Sequence, residues 1–232
     1  MSAPSLRARV RTEMIEEIKS AARRRLATDG ADLSLRGVAR DLGIVASALY
    51  RYFPSRDHLL TALILEAYQA LGAAATVAAE QAPAVAYRAR WLAACHAVRE
   101  WALAHPAEYG LLYGTPVPGY QAPADTVAPA AVVVLLLCDI TTDASTAGHL
   151  TPPSLPTRLP NPVRADLRAL IDQRGGTTRL TEDTLGRVFA AWTQLFGLLG
   201  FEVFGRLDGS ITARPEYFDH QMNLLADLVG LP

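Results

Sequence analysis

An all-α fold is predicted by three observations. Apolar residues recur at i, i+3, i+4 and i+7 in one stretch after another, the period of a helix with one buried face. Gly and Pro clusters separate those stretches, where helices stop. No stretch alternates apolar and polar residues as a half-buried strand does, and there is no internal repeat. Half of the 232 residues are hydrophobic and 19% are charged, which is the composition of a packed chain rather than a disordered one. That length suits one or two compact domains.

The elements follow in order. Residues 1–11 form a basic arm containing Arg7, Arg9 and Arg11. It is read either as a solvated tail or as an arm that enters a minor groove. A helix over 12–28 carries Met14, Ile15, Ile18, Ala22 and Leu26 on one face, and Asp29-Gly30 ends it. Ser34 is a good N-cap for a second helix with Leu35, Val38, Ala39 and Leu42 at helical spacing. Gly43 stands where a left-handed residue is needed, and Ile44 re-enters the core. A short helix over 46–53 offers Leu49, Tyr50 and Phe53 for packing, and Pro54-Ser55 stops it. Two short helices joined by a glycine turn are the helix-turn-helix arrangement, whose second helix lies in the major groove of DNA.

Ser55 caps a long helix over 55–81 in which no linker composition is visible. Beyond Pro83, helices are expected over 84–104, 107–113, 124–142, 163–173, 182–205 and 214–230. His105-Pro106 breaks the first from the second, and 114–123 is a Pro/Gly loop. Residues 146–162 hold five prolines and form a long connection, and Gly175-Gly176 ends the helix that follows. The longest aliphatic run, 130–138, is far short of the roughly twenty residues that span a bilayer. With no apolar leader at the N-terminus, a cytoplasmic protein without membrane attachment is expected. Cys95 and Cys138 lie in apolar surroundings, which favours buried thiols in a reducing compartment over a redox pair.

Charge is distributed unevenly. Residues 1–60 carry eleven Lys+Arg against seven Asp+Glu, a net of +4, and the remainder has a net of −5. Positive potential therefore gathers at the helix-turn-helix end, as phosphate binding requires. The candidate DNA contacts are Ser34, Arg36, Ala46, Ser47, Ala48, Tyr50, Tyr52 and Arg56. Arg36 can fork onto guanine, and the small residues 46–48 admit close approach to base edges. Tyr50 and Tyr52 can reach phosphates through their hydroxyls, although Tyr50 is equally readable as core. Arg56 is placed as a phosphate clamp near a helix start.

These residues carry a resemblance. Leu35-x-x-Val38-Ala39, Leu42-Gly43-Ile44, Ala48-Leu49-Tyr50-Arg51-Tyr52-Phe53 and Ser55-Arg56-Asp57-x-Leu59-Leu60 resemble the DNA-binding domain of the TetR family of bacterial transcriptional repressors. Two positions depart from that pattern: Val45 stands where Ser or Thr is frequent, and Arg56 where Lys is usual. Further on, Trp101-Ala102-Leu103-Ala104-His105-Pro106, Tyr109, Leu111-Leu112-Tyr113-Gly114-Thr115-Pro116 and Trp192-x-x-Leu195-Phe196-Gly197 resemble a TetR subgroup named for a Trp-His-Gly signature. Phe196 replaces that His, so any hydrogen bond it made is lost. The resemblance implies a TetR-like architecture. It has a three-helix DNA-binding domain over 1–54 and a helical ligand-binding and dimerisation bundle over 55–232.

Within the bundle, Trp91, His96, Trp101, Tyr109, Tyr113, Trp192 and Phe196 are candidate ligand-lining residues. Mainly apolar pockets with a few polar groups are common between helices, although an aromatic stripe also serves as plain core. His105 is read either as a polar contact or as a helix cap. The last two helices are more apolar than one core face needs, which points to a four-helix interface between two copies, with Ala190, Gly197 and Gly200 allowing close approach. No metal-ligand spacing, phosphate-cradling loop or nucleophile elbow is present, so no cofactor, metal or enzymatic activity is expected. The expectation is a homodimeric repressor released from a palindromic double-stranded operator by a small hydrophobic or amphipathic effector. The alternatives are a ligand-independent regulator, or a carrier or enzyme whose helix-turn-helix no longer works.

Overall fold

The computed structural model describes residues 5–30, 33–151, 158–173 and 180–232. Packing divides the chain into two units, one of residues 1–69 with 105–129 and one of residues 70–104 with 130–232. The sequence reading placed a boundary after residue 54; by packing, the first unit continues to residue 69 and takes in 105–129.

In the first unit α1 spans Leu6–Asp29. It starts earlier than expected because Ser5 caps it, its Oγ accepting from the Ala8 N–H at 3.3 Å. Most of the anticipated arm is therefore helical, and residues 1–4 lie outside the described residues. Helices α2 (Leu35–Asp41) and α3 (Ala46–Leu49) follow, then α4 (Arg56–Gln81), which runs on into the second unit. Helix α3 is shorter than the expected 46–53. The chain tightens there into i→i+3 turns, with the Arg51 N–H on the Ala48 carbonyl and the Tyr52 N–H on the Leu49 carbonyl. Pro54 disfavours helical geometry at the residue before it, so the helix cannot be prolonged. Helix α6 (Pro106–Tyr113) packs on α1. Ile18, Ala22, Leu26, Val38, Leu49, Leu59, Leu60 and Leu63 close a common core. Each large side chain buried there contributes roughly 1.5–3 kcal/mol.

The second unit contains α5 (Tyr87–Ala104), α8 (Val132–Thr146), α9 (Asn161–Gln173), α10 (Glu182–Val203) and α11 (Arg214–Val229). Helix α10 packs against the other four. The single helix expected over 124–142 is interrupted: a 3-10 turn at Ala124–Thr126 leads into α7 (Val127–Ala130), and α8 begins only after Ala131. Pro129 has no N–H to give to the preceding turn and its ring crowds that turn, in keeping with the 3-10 geometry at Ala124–Thr126. The proline-rich connection and Gly175-Gly176 fall largely outside the described residues. Trp91, Cys95, Val98, Val188, Leu195, Leu199, Phe218 and Met222 fill the interior. Glu202 is buried among them, and Arg99 meets its carboxylate with Nε 2.9 Å from Oε2 and Nη2 on Oε1. The same guanidinium lies over the Phe218 ring, 5.3 Å from its centroid. No strand occurs among the described residues. By length and composition α4 is apolar enough to cross a bilayer, but its Leu59, Leu60, Leu63, Leu71, Ala75 and Ala79 are buried within the protein.

Candidate DNA-binding site

The site is built on the turn between α2 and α3. Ser34 caps α2, its Oγ accepting from the Gly37 N–H at 3.1 Å. At the other end Gly43 adopts φ +66°, the left-handed conformation that turns the chain without a Cβ clash. The Ile44 N–H then returns to the Ala39 carbonyl at 3.0 Å, and Ile44 packs on the core. Helix α1 holds α2 from behind. Arg25 places Nε 2.6 Å and Nη2 2.8 Å from the two carboxylate oxygens of Asp41. Gly37 makes room for this fork, since a Cβ there would stand 2.8 Å from the Arg25 guanidinium. The paired guanidinium holds the Asp41 carboxyl below its ordinary range.

That frame leaves a set of side chains facing solvent. Arg36 and Arg40 are exposed one turn apart on α2, and Arg51 is exposed just after α3. None of the three guanidinium groups has a hydrogen-bond or ion-pair partner among the described residues. On α3 Ser47 is exposed and Ala46 and Ala48 are half-buried. Tyr50 is 46% exposed, so its ring stands outside the core rather than in it. Tyr52 is half-buried against the core, with the Arg11 guanidinium 5.3 Å above its ring. Sequence reasoning missed Arg40 and Arg51; their signal was a basic residue on the same helical face as Arg36 and another directly beyond the recognition helix.

Arg56, the expected phosphate clamp, opens α4. It is half-buried, and its Nε donates to the Leu33 carbonyl at 2.8 Å, tying the start of α4 to the segment before α2. A second ionic cluster reinforces the unit. The buried Lys19 donates from Nζ to Glu16 at 2.6 Å and also to Glu66, which Arg23 shares. Burial alone would lower Lys19, but hydrogen bonds to Glu16 and Glu66 outweigh it and hold the amine above its ordinary value.

The seven candidate ligand residues are divided between the units. Tyr109 is fully buried and Tyr113 half-buried in the first unit, with ring centroids 5.2 Å apart, and burial pushes both phenols well up. The other five are in the second unit. Trp91 is 1% exposed, and its indole Nε1 finds no partner there. Trp192 lies between Phe189 and Phe196 in a run of edge-on rings, and its Nε1 is likewise unmatched. His96 stands 3.3 Å from Asp219 and edge-on to Phe218, while Trp101 and Phe196 are both 8% exposed. His105 takes the N-cap position of α6 without a side-chain capping bond.

The second unit also holds a cavity of ≈ 530 Å³ that none of the seven lines. Its walls are Ala131, Val134, Leu135, Cys138, Asp139 and Thr142, with Leu170 and Ile171 of α9 and Leu185 and Phe189 of α10. Cys95, by contrast, is buried away from it, and burial pushes that thiol up to about 12, which leaves it unreactive. Among the described residues no group of three or more His, Cys, Asp or Glu side chains is placed to hold a metal.

A glycine-turned helix pair with exposed, unpaired arginines is the arrangement of a helix-turn-helix DNA-binding protein. Comparison with known proteins narrows this. Residues 18–63 match the family described as "Bacterial regulatory proteins, tetR family", and residues 91–225 match "Tetracyclin repressor-like, C-terminal domain". The chain is 37% identical over 225 residues to the HTH-type transcriptional regulator Rv1816 of Mycobacterium tuberculosis, covering 94% of this chain and 93% of that protein. The regulator Mb1846 of Mycobacterium bovis matches to the same extent. The crystal structure of SCO4313 superposes with a TM-score of 0.75 at 32% identity, covering 96% of this chain and 98% of that one. A Rhodococcus protein of unknown function follows with a TM-score of 0.66 at 26% identity, over 93% and 92% of the two chains. The chain belongs to the TetR family of bacterial transcriptional regulators. The finer likeness to a Trp-His-Gly subgroup rests on sequence alone.

Proposed function

We propose that this regulator is a homodimeric repressor whose paired α3 helices enter successive major grooves of a palindromic operator, about 34 Å apart. The observation that carries the reading is the set of exposed, unpaired Arg36, Arg40 and Arg51 around the α2–α3 turn. Ser47 and Tyr50 offer hydroxyls beside them, and Ser34, Ala46, Ala48 and Tyr52 shape the surface. Residues 1–54 act as the DNA-binding domain and 55–232 as the effector and dimerisation domain. Such a protein works in the cytoplasm, where the DNA is.

Dimerisation uses α10 and α11. Of the apolar residues on these two helices, Val188, Leu195, Leu199, Phe218, Met222 and Val229 are taken up by the unit's own core. Left outside are Phe201, Phe204, Leu224 and Leu228, each 38–49% exposed, with Ala190 and Gly197 on the same face of α10. A Cβ on Gly197 would meet nothing within 4 Å in the protomer. Gly197→Leu therefore leaves the fold intact while obstructing close approach of a second α10. Light scattering is expected to show monomers, with operator affinity falling about 10²–10⁴-fold as the second half-site contact is lost.

The effector is a small, predominantly apolar molecule, and the α8–α9–α10 cavity supports this by its size and walls. The aromatic residues Trp91, Trp101 and Trp192 would report its entry by fluorescence. By linkage, an effector that releases DNA binds the DNA-incompetent conformer more tightly, and DNA weakens effector binding by the same factor. The test is fluorescence anisotropy with the duplex upstream of the protein's own gene and a shuffled duplex, at two salt concentrations. Tight, salt-dependent binding to the first alone is the expected result. Equal weak binding to both, without a salt slope, overturns the reading.

A further inference from the structure

Val45 is 69% exposed, the most exposed of the large apolar side chains described in the first unit. It occupies the N-cap position of α3 and makes no side-chain capping bond there. Serine or threonine at that position would satisfy an otherwise orphan N–H. Valine thus forgoes a cap and, at the same time, leaves most of its surface in solvent. Its orientation is nevertheless held. Ile44 packs on the core with its N–H fixed to the Ala39 carbonyl, and Val45 is extended (φ −70°, ψ 140°), so its side chain leaves on the opposite side from that of Ile44. The Ala48 N–H on the Val45 carbonyl at 2.9 Å secures it from the helix side.

An aliphatic group without polar atoms gains nothing from a phosphate. On the floor of the major groove, however, the 5-methyl group of thymine is an apolar surface, and apolar side chains recognise it. The N-terminal residues of a recognition helix are those that come nearest the base edges, and Val45 holds the N-cap position at that end of α3. We infer that Val45 is a specificity-determining residue that selects thymine in each operator half-site by contact with its 5-methyl group. The inference rests on the DNA-binding reading above and adds a base preference to it.

The test uses the full-length protein. Its preferred duplex is first selected from a random pool, and each thymine is then replaced in turn by deoxyuridine, which removes only the methyl. Wild type is expected to lose about three- to tenfold in affinity at one thymine per half-site. The Val45→Ser variant regains a cap and loses the methyls. It is expected to unfold at a higher temperature and to bind the thymine and uracil duplexes equally at that position. A tight selected site at which no uracil substitution matters overturns this inference alone. So does a Val45→Ser variant that keeps the wild-type thymine-to-uracil ratio. A selection that enriches nothing overturns the DNA-binding reading, and this inference with it.

Discussion

Arginines behave in opposite ways in the bundle and around the α2–α3 turn. In the bundle most are matched to acids, among them Arg88 with Asp227, Arg90 with Asp143, Arg99 with Glu202, Arg168 with Glu182 and Arg214 with Asp208. Around the α2–α3 turn, among the described residues, only Arg25 is matched so, by Asp41, and it sits behind the surface rather than on it. Arg36, Arg40 and Arg51 are left to solvent. An ion pair inside a protein spends a cation on architecture, whereas an unpaired exposed cation adds little to folding and is available to a polyanion. Mutation should therefore separate the two kinds cleanly.

The largest effect is expected at the buried pair. Glu202→Ala leaves the Arg99 guanidinium desolvated without its carboxylate, which costs about 3–5 kcal/mol. Denaturant titration should register that loss, while the operator affinity of the remaining folded protein stays near wild type. Loss of affinity in step with stability would break the comparison, because it would tie the bundle's charge to the DNA surface.

Arg36→Ala should do the reverse. Stability should change little, while discrimination between the selected operator and its single-base variants relaxes by about 1–3 kcal/mol if the guanidinium reads a base. Arg40→Ala and Arg51→Ala should weaken all sequences alike and reduce the salt slope by about one each, as phosphate contacts do. Anisotropy across a salt series distinguishes the two patterns. A measurable drop in melting temperature for any of the three would show that an architectural role had been overlooked.

The legibility of the two units from sequence differs for a related reason. Ser34, Gly43 and Ile44 act through neighbours within a few residues, so cap, left-handed turn and core re-entry could all be read from local pattern. Arg56 could not, because its partner is the Leu33 carbonyl, 23 residues away in the chain. The cavity was hidden more thoroughly. Its walls come from three helices separated by long connections, and its Val, Leu and Ile side chains are the types that fill a core elsewhere. Aromatic residues drew attention instead, yet Trp91 and Tyr109 are almost wholly enclosed by packing. Sequence periodicity indicates which face of a helix is apolar, but not where two such faces fail to meet.

The smallest effect concerns the one acid–arginine pair that braces the α2–α3 turn. Asp41 accepts two hydrogen bonds from Arg25, and this holds its carboxyl below the ordinary value in the folded state. A depressed folded pKa means that the unfolded chain takes up the proton first. The stabilisation is therefore fully present above the unfolded value of roughly 3.9 and fades as the pH falls through the lower folded value. Wild type should melt above Asp41→Asn at neutral pH, and the gap should close only below about pH 4. If the gap instead stayed constant to the lowest pH at which the fold survives, Asp41 would be acting by shape and hydrogen bonding rather than charge. The contrast between matched and unmatched arginines would then hold for the bundle alone.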